Sequence, residues 1–295
     1  MPAAPRSRLT VLKTWKLFIG GKFPRPESGR VLTATAPATG KHLAHFAHAS
    51  KKDLRDAVVA ARTALPGWSG QSAYLRGQIL YRLAEMIEGR AAAFAAEVME
   101  CTGADSHEAA GEVADSIDRL VYLAGWTDKL PQVFGSINPV AGPYFSFSTV
   151  EPCGVVAAFA PDNPCLLAAV TLIGNALAAG NTVVLAASDA FPLPSMSLAE
   201  AIATSDVPPG VVNILTGLRA ELAPAAASHR DIDHIIDATA DPALAVILRS
   251  GSAVNLKRVA ACPAGIDWRD NDQASGPYRL LEMSETRTTW HPVGG

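Results

Sequence analysis

The sequence predicts an α/β fold with a Rossmann-like open parallel sheet of about five strands flanked by helices. From Gly154 onward, short apolar runs alternate with helical stretches, which is typical of a parallel sheet with right-handed crossovers. The chain is 49% hydrophobic and 18% charged, so its 295 residues can bury a sizeable core. The predicted strands are residues 155–160, 182–187, 211–215, 234–236 and 256–261. The predicted helices are residues 164–179, 193–204, 220–227 and 242–249.

The first third of the chain predicts a short hairpin followed by helices. Residues 15–23 contain a Gly-Gly pair, which is typical of a hairpin turn. Ser50 and Asp53 form a capping-box pattern, so a helix is predicted to begin there. We expect this helix to end at Ala64, because the residue before Pro66 is disfavoured in a helical conformation.

Two longer helices are predicted next. The second of them spans residues 112–130 and ends at Pro131, whose ring and missing amide hydrogen interrupt a helix. The first carries an apolar stripe at helical spacing, which predicts one buried face. That stripe consists of Leu75, Ile79, Leu83, Met86 and Ile87.

Residues 133–150 predict a pair of strands. A Gly-Pro turn lies between them, and Phe145 and Phe147 alternate with serines after it. This alternation predicts that one face of the strand pair either is exposed to solvent or contacts a partner. Further on, residues 278–283 predict a short helix and residues 287–291 a short strand.

Charge and hydropathy argue against two classes of partner. The formal net charge is -3 and the pI is about 6.2, so no basic field would gather nucleic acid. Residues 165–187 are uncharged and long enough to cross a bilayer, but Gly180-Asn181 interrupts them and β-branched residues follow. A buried helix and a buried strand are expected instead. Residues 1–8 lack the apolar region of a signal peptide, so we expect no membrane partner and a cytoplasmic location.

Cysteines and histidines predict neither a disulfide framework nor a metal site. The four cysteines are scattered and form no Cys-x-x-Cys pair, which is typical of reduced thiols. His42, His45 and His48 recur at every third residue, but no cysteine or carboxylate completes a ligand set.

The segment Pro161-Asp162-Asn163-Pro164 follows the first strand of the predicted sheet and opens a helix. From the residues alone, the favoured interpretation makes Asn163 the N-cap and Pro164 the first helical residue. The same place, at a strand end and a helix N-terminus, also suits the phosphates of a dinucleotide. No Gly-x-Gly-x-x-Gly is present, so the usual dinucleotide fingerprint is absent.

Six ordered segments, which together cover most of residues 15–236, form a recognisable pattern. They are Phe-Ile-Gly-Gly at 18–21, Pro-Ala-Thr-Gly at 37–40, Glu-Pro-Cys-Gly-Val-Val at 151–156, Pro-Asp-Asn-Pro at 161–164, Ala-Leu-Ala-Ala-Gly-Asn-Thr-Val-Val-Leu at 176–185, and Pro-Pro-Gly-Val-Val-Asn-Ile-Leu-Thr-Gly at 208–217. These segments resemble the aldehyde dehydrogenase superfamily. The overall pattern is similar to the degenerate second module of two-module aldehyde dehydrogenases.

The resemblance implies a division of the chain. Residues 15–262 would form the dinucleotide-binding domain, with residues 133–150 inserted as an oligomerisation hairpin. Residues 1–14 would be a flexible tail. Residues 263–295 would form a C-terminal segment with an oligomerisation-type strand.

The family's mechanism implies a cysteine nucleophile, an asparagine that stabilises the oxyanion, a glutamate base and NAD or NADP as hydride acceptor. Asn163 matches the oxyanion asparagine, and the implied cofactor contacts are Pro161, Asn163, Asp189 and Gly217. The lysine that binds the cofactor ribose falls on Ala186. This loses a charge-assisted contact of about 1.5–3 kcal/mol, so we expect NAD or NADP to bind weakly and no cofactor to be required.

Other family elements are replaced or not found in the sequence. The Glu-Leu-Gly-Gly segment of the base and the Gly-Gln-x-Cys segment of the nucleophile are absent, and the catalytic domain that carries them is expected to be missing. The glycine-rich turn is replaced by residues 237–241, whose two carboxylates would repel a pyrophosphate. Cys165 and Cys262 have no evident base or electropositive neighbour, so neither is predicted to be a nucleophile.

Three functions stay open at the level of the sequence. The leading hypothesis is a non-catalytic subunit that assembles with itself or with an active aldehyde dehydrogenase, through residues 133–150 and 287–290. The second is an NAD(P)-dependent aldehyde oxidoreductase with a non-standard nucleophile. The third is a module that binds a nucleotide weakly without chemistry.

Overall fold

The computed structural model describes residues 11–293. Within them the strands are β1 (Thr14–Trp15), β2 (Val31–Thr35), β3 (His42–Ala47), β4 (Ser136–Asn138), β5 (Tyr144–Pro152), β6 (Val155–Phe159), β7 (Thr182–Ala186), β8 (Val212–Leu215), β9 (His234–Asp237), β10 (Arg258–Ala261) and β11 (Ser284–Pro292). The helices are α1 (Lys51–Ser69), α2 (Ala73–Glu88), α3 (Ala91–Thr102), α4 (Ser106–Ala124), α5 (Lys129–Phe134), α6 (Leu167–Ala178), α7 (Leu193–Ala203), α8 (Arg219–Ser228), α9 (Pro242–Ser252), α10 (Asn271–Ser275) and α11 (Pro277–Glu282).

A five-stranded parallel sheet forms the centre of the protein, with the strand order β10-β9-β6-β7-β8. The five strands predicted from the apolar runs are therefore confirmed. The chain moves outward from β6 through β7 to β8, and then returns to the other side of β6 to form β9. The order reverses between β6 and β9, which is where open α/β sheets place their ligands.

Both faces of this sheet are buried, because successive side chains of each strand point to opposite faces. On β6, Val156 and Ala158 join one core, whereas Val155, Ala157 and Phe159 join the other. Helix α6 lies against the first face, and every one of its residues is buried. This explains why residues 165–187 are as apolar as a membrane span although they form a core helix followed by a strand.

The N-terminal hairpin turns where the glycine pair was predicted. Gly20 and Gly21 have φ values of 60° and 74°, and the flanking Ile19 and Lys22 form an antiparallel bridge. Glycine adopts this left-handed region without the steric cost that a side chain would bring. Before the hairpin, Thr14 and Trp15 form β1, which pairs with β3, so the predicted flexible tail 1–14 is too long at its C-terminal end. Its first ten residues lie outside the described part of the chain.

Two predicted helix ends are wrong, and both errors come from prolines. Helix α1 begins with the predicted capping box at Ser50 but continues through Pro66 to Ser69. Helix α4 ends at Ala124, followed by Gly125, and Pro131 lies inside the separate helix α5. In α1 the proline removes one backbone hydrogen bond near the helix end, where the remaining bonds and packing compensate for that loss. Helix α4 instead ends before Gly125, and Pro131 lies in the first turn of α5, where its missing amide hydrogen would be unpaired in any case.

A three-stranded antiparallel sheet, β11-β5-β4, is formed by the two segments that were predicted as strands. Strand β11 pairs with β5 over nine residues, from Ser284 opposite Pro152 to Pro292 opposite Tyr144. The hairpin and the C-terminal strand therefore form one layer.

Arg119 holds the C-terminal segment against helices α4 and α6. Its guanidinium is buried and donates to the Trp268 carbonyl at 2.6 Å, to Asn271 at 2.8 Å, to Thr171 at 2.9 Å and to Ser275 at 3.0 Å. Burial lowers the pKa of Arg119 from its ordinary value. These bonds fix residues 263–276 beside the carboxyl edge of the sheet, where they form one wall of the site described below.

Within residues 11–293, no helix is both long and apolar enough to cross a bilayer. In the same residues, no group of three or more His, Cys, Asp or Glu side chains is arranged to hold a metal ion. The His42 and His45 rings instead contact each other edge to face.

His234 should make the protein sensitive to acid. It is buried on β9 without a hydrogen-bond partner for either ring nitrogen, and burial, assisted by the Arg258 charge, lowers its pKa from 6.5 to about 4. The unfolded chain therefore binds this proton more readily, so stability is complete above pH 6.5 and declines as the pH falls towards 4. The expected loss is about 3 kcal/mol.

Urea unfolding between neutral pH and pH 4 measures this effect. His234→Leu should flatten the dependence over this window, whereas His42→Leu, at an exposed position, should leave it unchanged. Equal pH slopes for the wild-type protein and His234→Leu would contradict the assignment.

Candidate functional site

An open cleft of about 690 Å³ lies at the carboxyl edge of the central sheet, where the strand order reverses. The loops that follow β6 and β9 form two of its sides. The first residues of α4 and the segment held by Arg119 form the others. The lining residues used below are Glu112, Pro161, Asp162, Asn163, Thr239 and Arg269.

Of the predicted site residues, Pro161 and Asn163 line this cleft, and Asn163 is exposed to it. The interpretation of Asn163 as a helix cap is wrong, because α6 begins only at Leu167 and its N-cap position, Leu166, has no side-chain cap. Asn163 and Pro164 instead belong to the loop before the helix. The Asn163 amide is therefore free of a capping role and faces the cleft.

Helix α6 is capped by a residue that the sequence analysis did not identify. Oε1 of Glu112 on α4 accepts hydrogen bonds from the Leu166 amide at 2.7 Å and the Leu167 amide at 3.1 Å. The Glu112 side chain is buried between the two helices. A carboxylate at this position compensates the unpaired amides and the positive end of the helix dipole.

A second carboxylate cluster surrounds Arg219, the first residue of α8. Its Nη2 donates to Asp162 Oδ1 at 2.7 Å, and its Nε donates to Asp189 Oδ1 at 2.8 Å. Nη1 donates to the Ala160 carbonyl at the end of β6. The Arg219 side chain is 11% exposed. It therefore fills the space where the ends of β6, β7 and β8 meet.

The pKa values of the two carboxyl groups in this cluster shift in opposite directions. Asp162 Oδ1 also accepts from the Ser188 hydroxyl at 2.8 Å and from the Asp189 amide at 3.2 Å. Burial opposes ionisation of Asp162, but Ser188 and Arg219 outweigh it and hold the pKa of Asp162 below its usual value. Burial raises the pKa of Asp189 against the opposing effect of Arg219. Asp162 is thus the stronger counter-charge for the guanidinium.

Gly217, a predicted cofactor contact, is packed against the N-terminal strands. Its φ is +136°, and a Cβ there would lie 3.0 Å from the Ala49 amide nitrogen and 3.0 Å from a ring carbon of His48. It does not line the cleft. A close backbone approach to residues 48–49 therefore accounts for this glycine without a ligand.

Hydrogen bonds within residues 237–243 stabilise the loop after β9. Asp237 is buried and its Oδ1 accepts from the Thr239 amide at 3.0 Å and the Thr239 hydroxyl at 2.7 Å. Asp241 caps α9 by accepting from the Ala243 amide at 2.8 Å. Both carboxylates that replace the glycine-rich turn are thus engaged by the loop and by its helix.

None of the four thiols is activated. All four are free, and burial raises each pKa: those of Cys101 and Cys153 to about 12, that of Cys262 to about 11, and that of Cys165 further still. For Cys165 the nearby Glu112 charge adds to this effect. A nucleophilic cysteine needs a lowered pKa, so these environments oppose thiolate chemistry.

The residues present do not fit a dinucleotide. Ala186 offers no cation, and the Arg219 guanidinium at the strand ends is already bound by Asp162 and Asp189. The Arg269 guanidinium, which lines the cleft, is paired with Asp115 at 3.0 Å. The first amides of α6, which could receive a phosphate, are bound by Glu112. No step that depends on a bound cofactor can be derived from this arrangement.

The residues that shape this edge were largely missed from the sequence, and one signal could have found some of them. Glu112, Ser116 and Arg119 are buried polar residues at positions i, i+4 and i+7 of α4. Such spacing places them on one helix face beside the apolar stripe that contains Val113 and Leu120, so this polar face is a candidate for contacts at the border of the core. No comparable signal marks Arg219, because its two acids come from other loops.

Comparison with known proteins gives a consistent family match. The sequence model described as "Aldehyde dehydrogenase family" matches residues 23–265. Cytosolic aldehyde dehydrogenase 1 of Elephantulus edwardii is 33% identical over 262 residues, which cover 87% of this chain and 51% of that protein. Retinal dehydrogenase 2 of Gallus gallus is 36% identical over 252 residues, covering 84% and 48%. The chain spans about half the length of the curated relatives it matches.

Solved structures show the same fold. An NAD+ complex of an aldehyde dehydrogenase from Bacillus cereus matches with a TM-score of 0.80 and 30% identity, over 84% of this chain and 50% of that one. PnpE from Pseudomonas sp. WBC-3 matches with a TM-score of 0.80 and 30% identity, over 85% and 51%. In the Bacillus protein, this fold is therefore compatible with NAD+.

The Glu112 cap should contribute strongly to stability. Glu112→Ala leaves two amides without their charged acceptor, so the free energy of unfolding should fall by about 2–3 kcal/mol. Glu112→Gln keeps an acceptor oxygen and should cost less. Asp118→Ala, at an exposed position on the same helix, should change stability by less than about 0.5 kcal/mol. Urea titration measures all three, and equal losses for Glu112→Ala and Asp118→Ala would argue against the cap.

Proposed function

Because the chain belongs to the aldehyde dehydrogenase family, we propose that it is a non-catalytic member that assembles through its β4-β5-β11 sheet. Its partner is a second copy of itself or an active aldehyde dehydrogenase. The observation that carries the proposal is an exposed aromatic face on that sheet, next to an edge strand.

The chemistry of the described residues supports the non-catalytic part. Asn163 faces the cleft, as an oxyanion residue would, but the nearest cysteine in sequence, Cys165, is buried with a raised pKa. An oxidoreductase with a non-standard nucleophile would need a thiolate near neutral pH. The environments of all four thiols oppose it.

The exposed face of the β4-β5-β11 sheet supports assembly. Phe147 lies opposite Ile137 on β4 and Thr289 on β11, and directly opposed residues of an antiparallel sheet share a face. Phe145, two residues before Phe147, lies on the same face. Ile137 is 73% exposed and Phe145 is 44% exposed. A cluster of exposed apolar side chains on one sheet face marks a surface for a protein partner.

On the opposite face of this sheet, the polar side chains form hydrogen bonds with one another. The Asn138 amide donates to Ser146 at 3.3 Å and to Ser148 at 2.9 Å, and the Ser148 hydroxyl is 2.9 Å from that of Thr288. Ser146 and Ser148 are buried. The alternation of serine and phenylalanine on β5 therefore separates an internal polar ladder from an external aromatic face.

Strand β11 adds a second feature typical of an interface. Within the described residues it pairs with β5 on one side, and its residues beyond Ser284 are exposed. The other edge of β11 therefore offers backbone groups to a further strand. Trp290 on this strand is 58% exposed and contacts Tyr144 edge to face.

Light scattering coupled to size exclusion tests the assembly. One copy of the chain has a mass of 30.8 kDa, and we expect the purified protein, alone or mixed with an active aldehyde dehydrogenase, to elute as a larger species. Phe145→Arg should return it to 30.8 kDa, since a charge on the aromatic face would be desolvated in the interface. Ile137→Arg provides a second test on the same face.

The matched control is Tyr74→Arg, which changes an exposed aromatic residue on α2. It should leave the assembly intact, and circular dichroism should show that each variant is folded. A wild-type chain that stays at 30.8 kDa at micromolar concentration, and that does not co-purify with an active family member, would overturn the proposal.

A further inference from the structure

We propose that the carboxyl edge of the central sheet is closed to dinucleotides because the protein's own carboxylates occupy its anion-binding groups. Of the four crossover helices that begin at this edge, α7 has no side-chain cap. The groups on which the proposal rests are the N-termini of α6, α8 and α9 and the Arg219 guanidinium. Each is already bound by an acid of the chain. The proposed closure of this edge does not depend on the proposed oligomer.

Three helix N-termini at this edge are neutralised. Glu112 binds the first amides of α6, and Asp241 binds an amide of α9 at 2.8 Å. Asp189 binds the amide of Arg219, at the start of α8, at 3.0 Å. Asp241 is an ordinary local cap, two residues from the amide that it binds. Glu112 and Asp189 come from other elements, 54 and 30 residues away in sequence, so tertiary structure brings them to the helix ends.

The Arg219 guanidinium is also bound within the protein. All three nitrogens of the Arg219 guanidinium donate within the protein, to Asp162, Asp189 and the Ala160 carbonyl. A phosphate would have to displace two carboxylates to reach it. The adjacent strand end carries Ala186, which supplies no further positive charge.

The net effect is repulsion where a dinucleotide needs attraction. The two negative charges of a pyrophosphate would approach the carboxylates of Asp162 and Asp189, and like charges repel each other. The aldehyde dehydrogenase of Bacillus cereus accommodates NAD+ in the same fold. The proposal therefore rests on the side chains at this edge of the sheet.

Isothermal titration with NAD+, NADP+ and inorganic pyrophosphate tests the closure. The wild-type chain should show no saturable binding up to millimolar concentration. Asp162→Asn/Asp189→Asn keeps the acceptor oxygens but removes both charges, which frees the Arg219 guanidinium for anions. This variant should bind pyrophosphate at least about tenfold more tightly than the wild-type protein. Adding Arg219→Ala to it should abolish the gain.

The matched control is Asp118→Asn/Asp128→Asn, which changes net charge equally at two exposed positions and should give no gain. Thermal unfolding checks that each variant is folded, and Asp162→Asn alone replaces the double variant if that one is not. Micromolar binding of NAD+ by the wild-type chain would overturn the proposal. So would an Asp162→Asn/Asp189→Asn variant that gains no more than the control, or a gain that survives Arg219→Ala.

Discussion

A parallel sheet with helical crossovers directs several helix N-termini toward one edge, and the charge that gathers there must be compensated. This constraint shapes the functional edge of the protein. Helices α6, α8 and α9 begin beside the ends of β6, β8 and β9, and their amides create a positive potential. In a dinucleotide-binding protein, the phosphates of the ligand compensate this positive potential. In this protein the compensating charges are carboxylates of the chain itself, namely those of Glu112, Asp189 and Asp241.

The same internal compensation links the edge to the rest of the fold. Glu112 and Arg119 lie on the same helix, two turns apart, and their contacts point to different partners. Glu112 binds the start of α6, while Arg119 holds residues 268–275 across α4 and α6. A cleft of about 690 Å³ remains between these anchored walls, with Asn163 exposed in it. Polar contacts of the chain itself anchor the walls of the cleft, and the aromatic face of the β4-β5-β11 sheet is exposed.

The central architecture was predictable because its signals are local and periodic. Apolar runs separated by helices mark the five parallel strands, and the Gly20-Gly21 turn and the Ser50 capping box act over a few residues. The errors have other causes. Pro66 lies near the end of α1, where packing outweighs one lost hydrogen bond. Asn163 resembles a cap, but Glu112, brought in from α4, takes that role. The binding of Asp189 to Arg219 depends on tertiary structure alone, so no local signal in the sequence marks it.

A crystal structure of the protein soaked with millimolar NAD+ would show directly which groups occupy this edge of the sheet. We expect no dinucleotide density at the ends of β6, β7 and β8, and an Arg219 guanidinium within hydrogen-bond distance of Asp162 and Asp189. Ordered nicotinamide dinucleotide at that edge, with the Arg219 side chain turned away from both acids, would contradict this expectation.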